Sequence, residues 1–123
     1  MSAESVAYST LTGASSVTAL VGSGANARIY PDVVPQEFCL PAISFQRVST
    51  EPVNTIHASK LAERVTLDVW CMDDQRYDAE TLANNAQAAL IAAKFILTNR
   101  RAELDIESNI WIAVLTFDFW VTS

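Results

Sequence analysis

The residues whose types could do chemistry are few. His57 is the only histidine in the 123-residue chain, in a stretch holding Thr55 and Ser59. A nucleophilic triad needs such a base beside a Ser or Cys. One reading is therefore a small hydrolase using His57 and a nearby serine; the plainer one is an exposed loop histidine. Cys39 and Cys71 are far apart and outside any CxxC, so free thiols are expected. Cys39, between Phe38 and Leu40, reads as a small apolar loop residue rather than a reactive thiol. No Cys/His cluster surrounds His57, so no metal site is expected. Asp73-Asp74 is the obvious carboxylate pair for acid–base work. An acidic pair at a helix start, suited to both the cap and the dipole, explains it without chemistry. Asp68 and Asp118 each lie two residues from a tryptophan, Trp70 and Trp120. They either line a cleft or face solvent beside aromatics at an interface. Gly22-Ser-Gly follows a helix rather than a strand and lacks a following Gly-Lys-Ser/Thr, so it makes neither a dinucleotide nor a phosphate loop. Neither catalytic residues nor a cofactor site are expected.

Periodicity sets the elements that must carry these residues. Ala3–Leu11 reads as a short helix with Val6 and Leu11 inward, interrupted by Gly13. Ser15 or Ser16 can cap a further turn carrying Val17, Leu20 and Val21, and Gly22 suits the left-handed position after it. Ala27–Tyr30 is a short strand stopped by Pro31. The stretch Pro31–Pro41, with Pro35 inside it, is a loop. Ala42–Ser49 is a strand with Ile43, Phe45 and Arg47 on one face and Ala42, Ser44, Gln46 and Val48 on the other. Thr50–Lys60 is an exposed excursion or a long hairpin. Glu63–Met72 alternates most clearly: Val65, Leu67, Val69 and Cys71 make an apolar face, and Arg64, Thr66, Asp68 and Trp70 the other.

A long helix is predicted over Gln75–Asn99. Leu82, Ala86, Ala89, Leu90, Ala93, Ile96 and Leu97 form its apolar stripe. It would be roughly 37 Å long, with Arg100 and Arg101 after its end. Glu103–Glu107 and Asn109–Val121 read as strands, the second with Leu115, Phe117, Phe119 and Val121 on one face and Thr116, Asp118 and Trp120 on the other. The order predicts an α+β fold: a two-layer sandwich, mostly antiparallel sheet packed against one long helix and a short N-terminal helix. Trp70 and Trp120 fall on the sheet face away from the long helix. Either the N-terminal segment or a loop covers them, or they serve a protein–protein contact; a deep pocket there would make a ligand-binding module.

Length and composition bound the rest. The length predicts one domain over residues 1–123, and 50% hydrophobic residues can fill its core. The longest apolar runs, Ala88–Ala93 and Ile110–Leu115, are six residues each, against about 20 for a membrane helix. The first basic residue is Arg28, so the start lacks the charged region of a signal peptide. The net charge is −6, −1 over residues 1–60 and −5 over 61–123. That disfavours a general duplex-binding surface; it fits solvated acidic turns, or a wall that repels nucleic acid.

Segments in a fixed order carry a resemblance over residues 5 to 121. They are Leu20-Val21-Gly22, Arg28-Ile29-Tyr30-Pro31, Pro41-Ala-Ile-Ser-Phe-Gln-Arg-Val-Ser, Thr50-Glu51-Pro52-Val53-Asn54-Thr55, Glu63-Arg64-Val65-Thr66-Leu67-Asp68-Val69-Trp70, an alanine-rich helix, and Phe117-Asp118-Phe119-Trp120. Together they resemble the tail completion, or tail terminator, proteins of long-tailed bacteriophages and related prophage or gene-transfer particles. Ile56-His57-Ala58-Ser59 departs from the glycine and small polar residues that such proteins often carry there.

The resemblance implies a structural, non-enzymatic virion protein without a cofactor. It implies a self-assembling ring, usually hexameric, at the head-proximal end of the tail. Its partners would be the tail tube protein and the head/neck connector protein, with DNA passing through the lumen and no membrane contact. Assembly would take place in the bacterial host cytoplasm. The closest alternative is another neck component, a head-closure or head-tail joining protein. Candidate interface residues are Arg47, Glu51, Asn54, His57, Asp68, Trp70, Asp118 and Trp120, with the loops Pro31–Pro41 and Thr50–Lys60 as candidate inter-subunit or axial contacts.

Overall fold

The structure, a computed structural model, describes residues 3–22, 27–31, 40–54 and 61–122, with the backbone alone at 52–54, 61, 62 and 122. The elements are α1 (Ala3–Gly13), α2 (Ser15–Val21), β1 (Ile29–Pro31), β2 (Ala42–Asn54), β3 (Leu61–Asp73), α3 (Arg76–Ala92), β4 (Ile96–Asp105) and β5 (Ile110–Thr122). The strands form one five-stranded sheet in the order β1-β2-β3-β5-β4. Every pairing is antiparallel except β1 with β2. Helices segregated to one face of a mostly antiparallel sheet make the expected α+β sandwich.

The core lies between that sheet face and the helices. Val65, Leu67, Val69 and Cys71 of β3 are all fully buried, as their alternation predicts. Beside them lie Ala113, Leu115 and Phe117 of β5 and Ile43 and Phe45 of β2. The helices complete the same cluster with Ala3, Ala7 and Leu11 of α1, Val17 and Val21 of α2, and Leu82, Ala83, Ala86 and Leu90 of α3. Burying each Val or Leu contributes about 1.5–3 kcal/mol. The small alanines let α3 approach the sheet closely. Gly22 is the C-cap of α2 and donates its N–H to the Thr18 carbonyl; its φ of 90° is positive as expected, but its ψ of 167° is extended rather than left-handed helical, a conformation open to glycine.

Several boundaries differ from the sequence reading. The long helix ends at Ala92, not Asn99, which makes it about 26 Å long. The cause is a Schellman turn: Lys94 takes φ 76°, its N–H donates to the Ile91 carbonyl, and the Phe95 N–H donates to the Leu90 carbonyl. Ile96 and Leu97 therefore leave the helix stripe and open β4, which also contains Arg100 and Arg101. Of the short strand expected at Glu103–Glu107, Glu103–Asp105 form the C-terminal part of this ten-residue strand, whereas Ile106 and Glu107 lie in the turn that follows it. Neither Ser15 nor Ser16 caps α2; Ala14 is the N-cap and offers no side-chain bond. Asp73 and Asp74 do not cap α3 either. Gln75 is its N-cap, Asp73 ends β3, and the Asp74 N–H donates to Asp73 Oδ1 at 2.7 Å.

β1 is shifted to include Pro31, which an edge strand tolerates because it needs no N–H there. β2 continues five residues beyond Ser49. Its pairing with β3 runs to Asn54 opposite Leu61, so the excursion at Thr50–Lys60 is a long hairpin as far as it is described. Residues 55–60, His57 among them, and residues 32–39 lie outside the described residues.

Cys71 sits at the centre of this core as a free, fully buried thiol. Burial pushes its pKa up to about 12, against a smaller lowering by Arg100. The folded state thus keeps a proton that the unfolded chain loses above about pH 9. Stability is full below that pH and falls as pH rises toward about 12, by up to about 1.4 kcal/mol per pH unit. Urea unfolding at pH 7.5 and pH 10.5 should show this loss, and Cys71→Ala should reduce it.

Candidate functional site

The sheet face away from the helices carries most of the residues that the sequence singled out. Register shows how. In one row Ser44, Trp70 and Val114 lie side by side on β2, β3 and β5, with Arg101 of β4 next. In the next row are Gln46, Asp68, Thr116 and Asn99. Then come Ser49, Thr66, Asp118 and Ile96, and finally Glu51, Arg64 and Trp120. Side chains alternate along a strand, so these rows share one face.

The two aspartates are held by the same device, used twice. Thr66 Oγ1 donates to Asp118 Oδ1 at 2.8 Å, and Thr116 Oγ1 donates to Asp68 Oδ1 at 2.8 Å. Each pair is a direct cross-strand pair between β3 and β5. A carboxylate that accepts from a hydroxyl is oriented but not neutralised. Glu51 is different: it forms an ion pair with Arg64 across β2 and β3. Arg101 pairs with Glu103 at 2.7 Å on the same face. Two donors buried here, Trp70 Nε1 and Arg64 Nε, have no acceptor among the described residues.

The face is not uniformly open. Ala42, Ser44, Met72 and Val114 are buried on it, whereas Trp120 is 45% exposed, Ile96 51% and Val48 54%. Exposed apolar groups thus gather at the end holding Trp120, among Asp118, Glu51 and Arg64. Such a mixture of aromatic, apolar and charged groups is suited to protein recognition.

Arg47 stands apart from this set. It lies on the helix side with Phe45, where its Nη2 and Nε donate to Glu4 Oε1 at 2.6 and 3.0 Å and its Nη1 donates to Thr50 Oγ1 at 3.1 Å. It ties α1 to β2. Asn54 is placed only by its backbone, at the far end of the hairpin. Thr66, Thr116 and Arg64 fell on the expected face, but their partners depend on register. Ile96 and Arg101 were missed because the helix was read past its end.

A second feature lies at the opposite end of the sheet. A cleft of about 280 Å³ is lined by Ala19, Leu20, Pro41, Asp73, Asp78 and Thr81. Carboxylate oxygens of Asp73, Asp74 and Asp78 lie within 4.8 Å of one another. These residues are the ones that could approach a cation, although Asp74 and Asp78 are exposed, as acidic turns commonly are. Burial raises the Asp73 pKa above the usual carboxylate value, helped by the neighbouring Asp74 and Asp78 charges and opposed by the Asp74 N–H. Arg76 lies over the Trp111 ring, 5.4 Å from its centroid, and fixes the start of α3 against β5. Among the described residues no helix is long and apolar enough to cross a membrane.

Residues 7–122 match the family described as "Tail completion protein gp17". The fold is similar to a chain of a solved structure entitled "Virion of native gene transfer agent (GTA) particle". That superposition has a TM-score of 0.77 at 15% identity and covers 98% of this chain and 95% of the other. No curated protein matches.

Proposed function

We propose a role built on one premise: the chain belongs to the tail completion protein gp17 family and is a structural component of a bacteriophage tail. The family is not a known enzyme family. On this reading the protein sits in the virion at the head-proximal end of the tail. Copies assemble into a ring of six subunits. The ring matches the tail tube on one side and presents a joining surface for the head/neck connector on the other. Growth stops because the next tube ring meets no complementary surface.

The observation that carries this reading is the family match across residues 7–122. The sheet face supports it. Exposed Trp120, Ile96 and Val48 beside Asp118 and the Glu51–Arg64 pair provide a mixed apolar and charged contact surface. The net charge of −6 suits a lumen through which DNA slides without sticking. The test is reconstitution with growing tail tubes. Adding purified protein should arrest elongation and narrow the length distribution. Tubes that elongate unchanged at saturating protein would refute the capping role.

A further inference from the structure

The outer edge of β4 has a property that the ring reading does not use. β4 is the last strand of the sheet, so one side of its backbone has no strand beside it among the described residues. Every residue of β4 except Leu97 is exposed. Such an edge is a template for another strand unless its side chains prevent pairing. The other sheet edge, β1, is only three residues long and ends in Pro31.

The charges on β4 select a partner and a register. The ladder with β5 is irregular between Leu97 and Asn99, then unbroken from Asn99 to Asp105. The midpoint of that regular stretch is Ala102. Antiparallel pairing of β4 with a second β4 about Ala102 uses the whole stretch. It places Arg101 opposite Glu103 of the partner subunit, Asn99 opposite Asp105 of the partner subunit, and Arg100 opposite the neutral Leu104 of the partner subunit. Sliding by one pleat in either direction sets Arg101 against its own copy or Glu103 against its own copy. Like charges directly opposite are destabilising and opposite charges stabilising. A slip by a single residue would put side chains on the wrong face. The sequence of β4 is thus self-complementary in one register.

We propose that β4 is a homotypic docking edge: two copies of this chain pair β4 against β4, antiparallel, about a two-fold axis at Ala102. The Arg101–Glu103 pair, already formed within each strand at 2.7 Å, becomes half of a four-charge network. This goes beyond the ring reading. A two-fold contact closes on itself and is not the contact that repeats around a ring, so it belongs to subunits outside the ring.

Disulfide trapping tests the register. Residues directly opposite across antiparallel strands have Cα atoms about 4.5–5.5 Å apart, within the disulfide range of about 4.4–6.8 Å. Ala102→Cys should therefore form a covalent dimer under mild oxidation, at least tenfold above the unmodified protein. Leu104→Cys should not, because its two copies would sit four residues apart along the strand, about 13 Å. Adding Arg101→Glu to Ala102→Cys should cut the cross-link about tenfold, and the swap Arg101→Glu with Glu103→Arg should restore it. All these side chains are exposed, so the fold is kept, which circular dichroism checks. No cross-link above background for Ala102→Cys, or an equal one for Leu104→Cys, would overturn the proposal.

Discussion

Phe117→Ala should lower the unfolding free energy by about 3–5 kcal/mol. Phe117 is fully buried on β5, on the face covered by the helices. The Phe95 ring meets it edge-on, with centroids 6.1 Å apart and planes at 84°. Phe95 also stacks on Phe119 at 4.3 Å. The aromatic side chain at 117 therefore supports the Schellman turn that ends α3, as well as the sheet. Truncation removes the transfer free energy of a whole ring and leaves a cavity in a close-packed core. Domains of ordinary size have about 5–15 kcal/mol in total, so the loss is a large share. Urea unfolding should show a lower midpoint with an unchanged slope. A loss below about 1 kcal/mol would mean that the Phe95–Phe117 packing is not as described.

Arg28→Ala should lower stability by about 2–3 kcal/mol, through a different mechanism. Arg28 lies between α2 and the sheet. Its Nε donates to the Pro41 carbonyl at 2.8 Å and its Nη2 to the Leu20 carbonyl at 3.1 Å. Its own backbone is paired as well, N–H to the Val21 carbonyl and carbonyl to the Ile43 N–H. Truncation leaves two half-buried carbonyls without a donor. Lysine has no planar fork and cannot reach both, so Arg28→Lys should recover less than half of the loss. Equal stability of Arg28→Lys and the parent protein would show that the forked contact contributes little.

What the sequence made legible follows the range of the forces involved. Alternation along 63–72 exposed the β3 core face because one strand buried on one side writes a period of two. The α3 stripe was legible from Leu82 to Leu90 for the same kind of reason. It failed at its end because Ala93, Ile96 and Leu97 continue the helical spacing by coincidence. The left-handed residue that stops the helix is Lys94, not the glycine that usually signals such a turn. β4 carries almost no burial pattern, since an exposed edge strand writes no period.

The site divided along the same line. Trp70, Asp68, Trp120 and Asp118 could be put on one face by counting alternate residues. The Thr66–Asp118 and Thr116–Asp68 pairs could not, because they depend on the register between strands some 50 residues apart. The same distance hides the partner of Arg47. It shares the face of Ile43 and Phe45 by simple alternation, but Glu4 lies 43 residues away.

The most direct measurement is electron microscopy of the purified protein mixed with tail tubes. A ring of six copies on one end of each tube, with the far end and the walls bare, is the predicted result. Tubes with both ends bare at saturating protein, or decorated along their length, would contradict the terminator role.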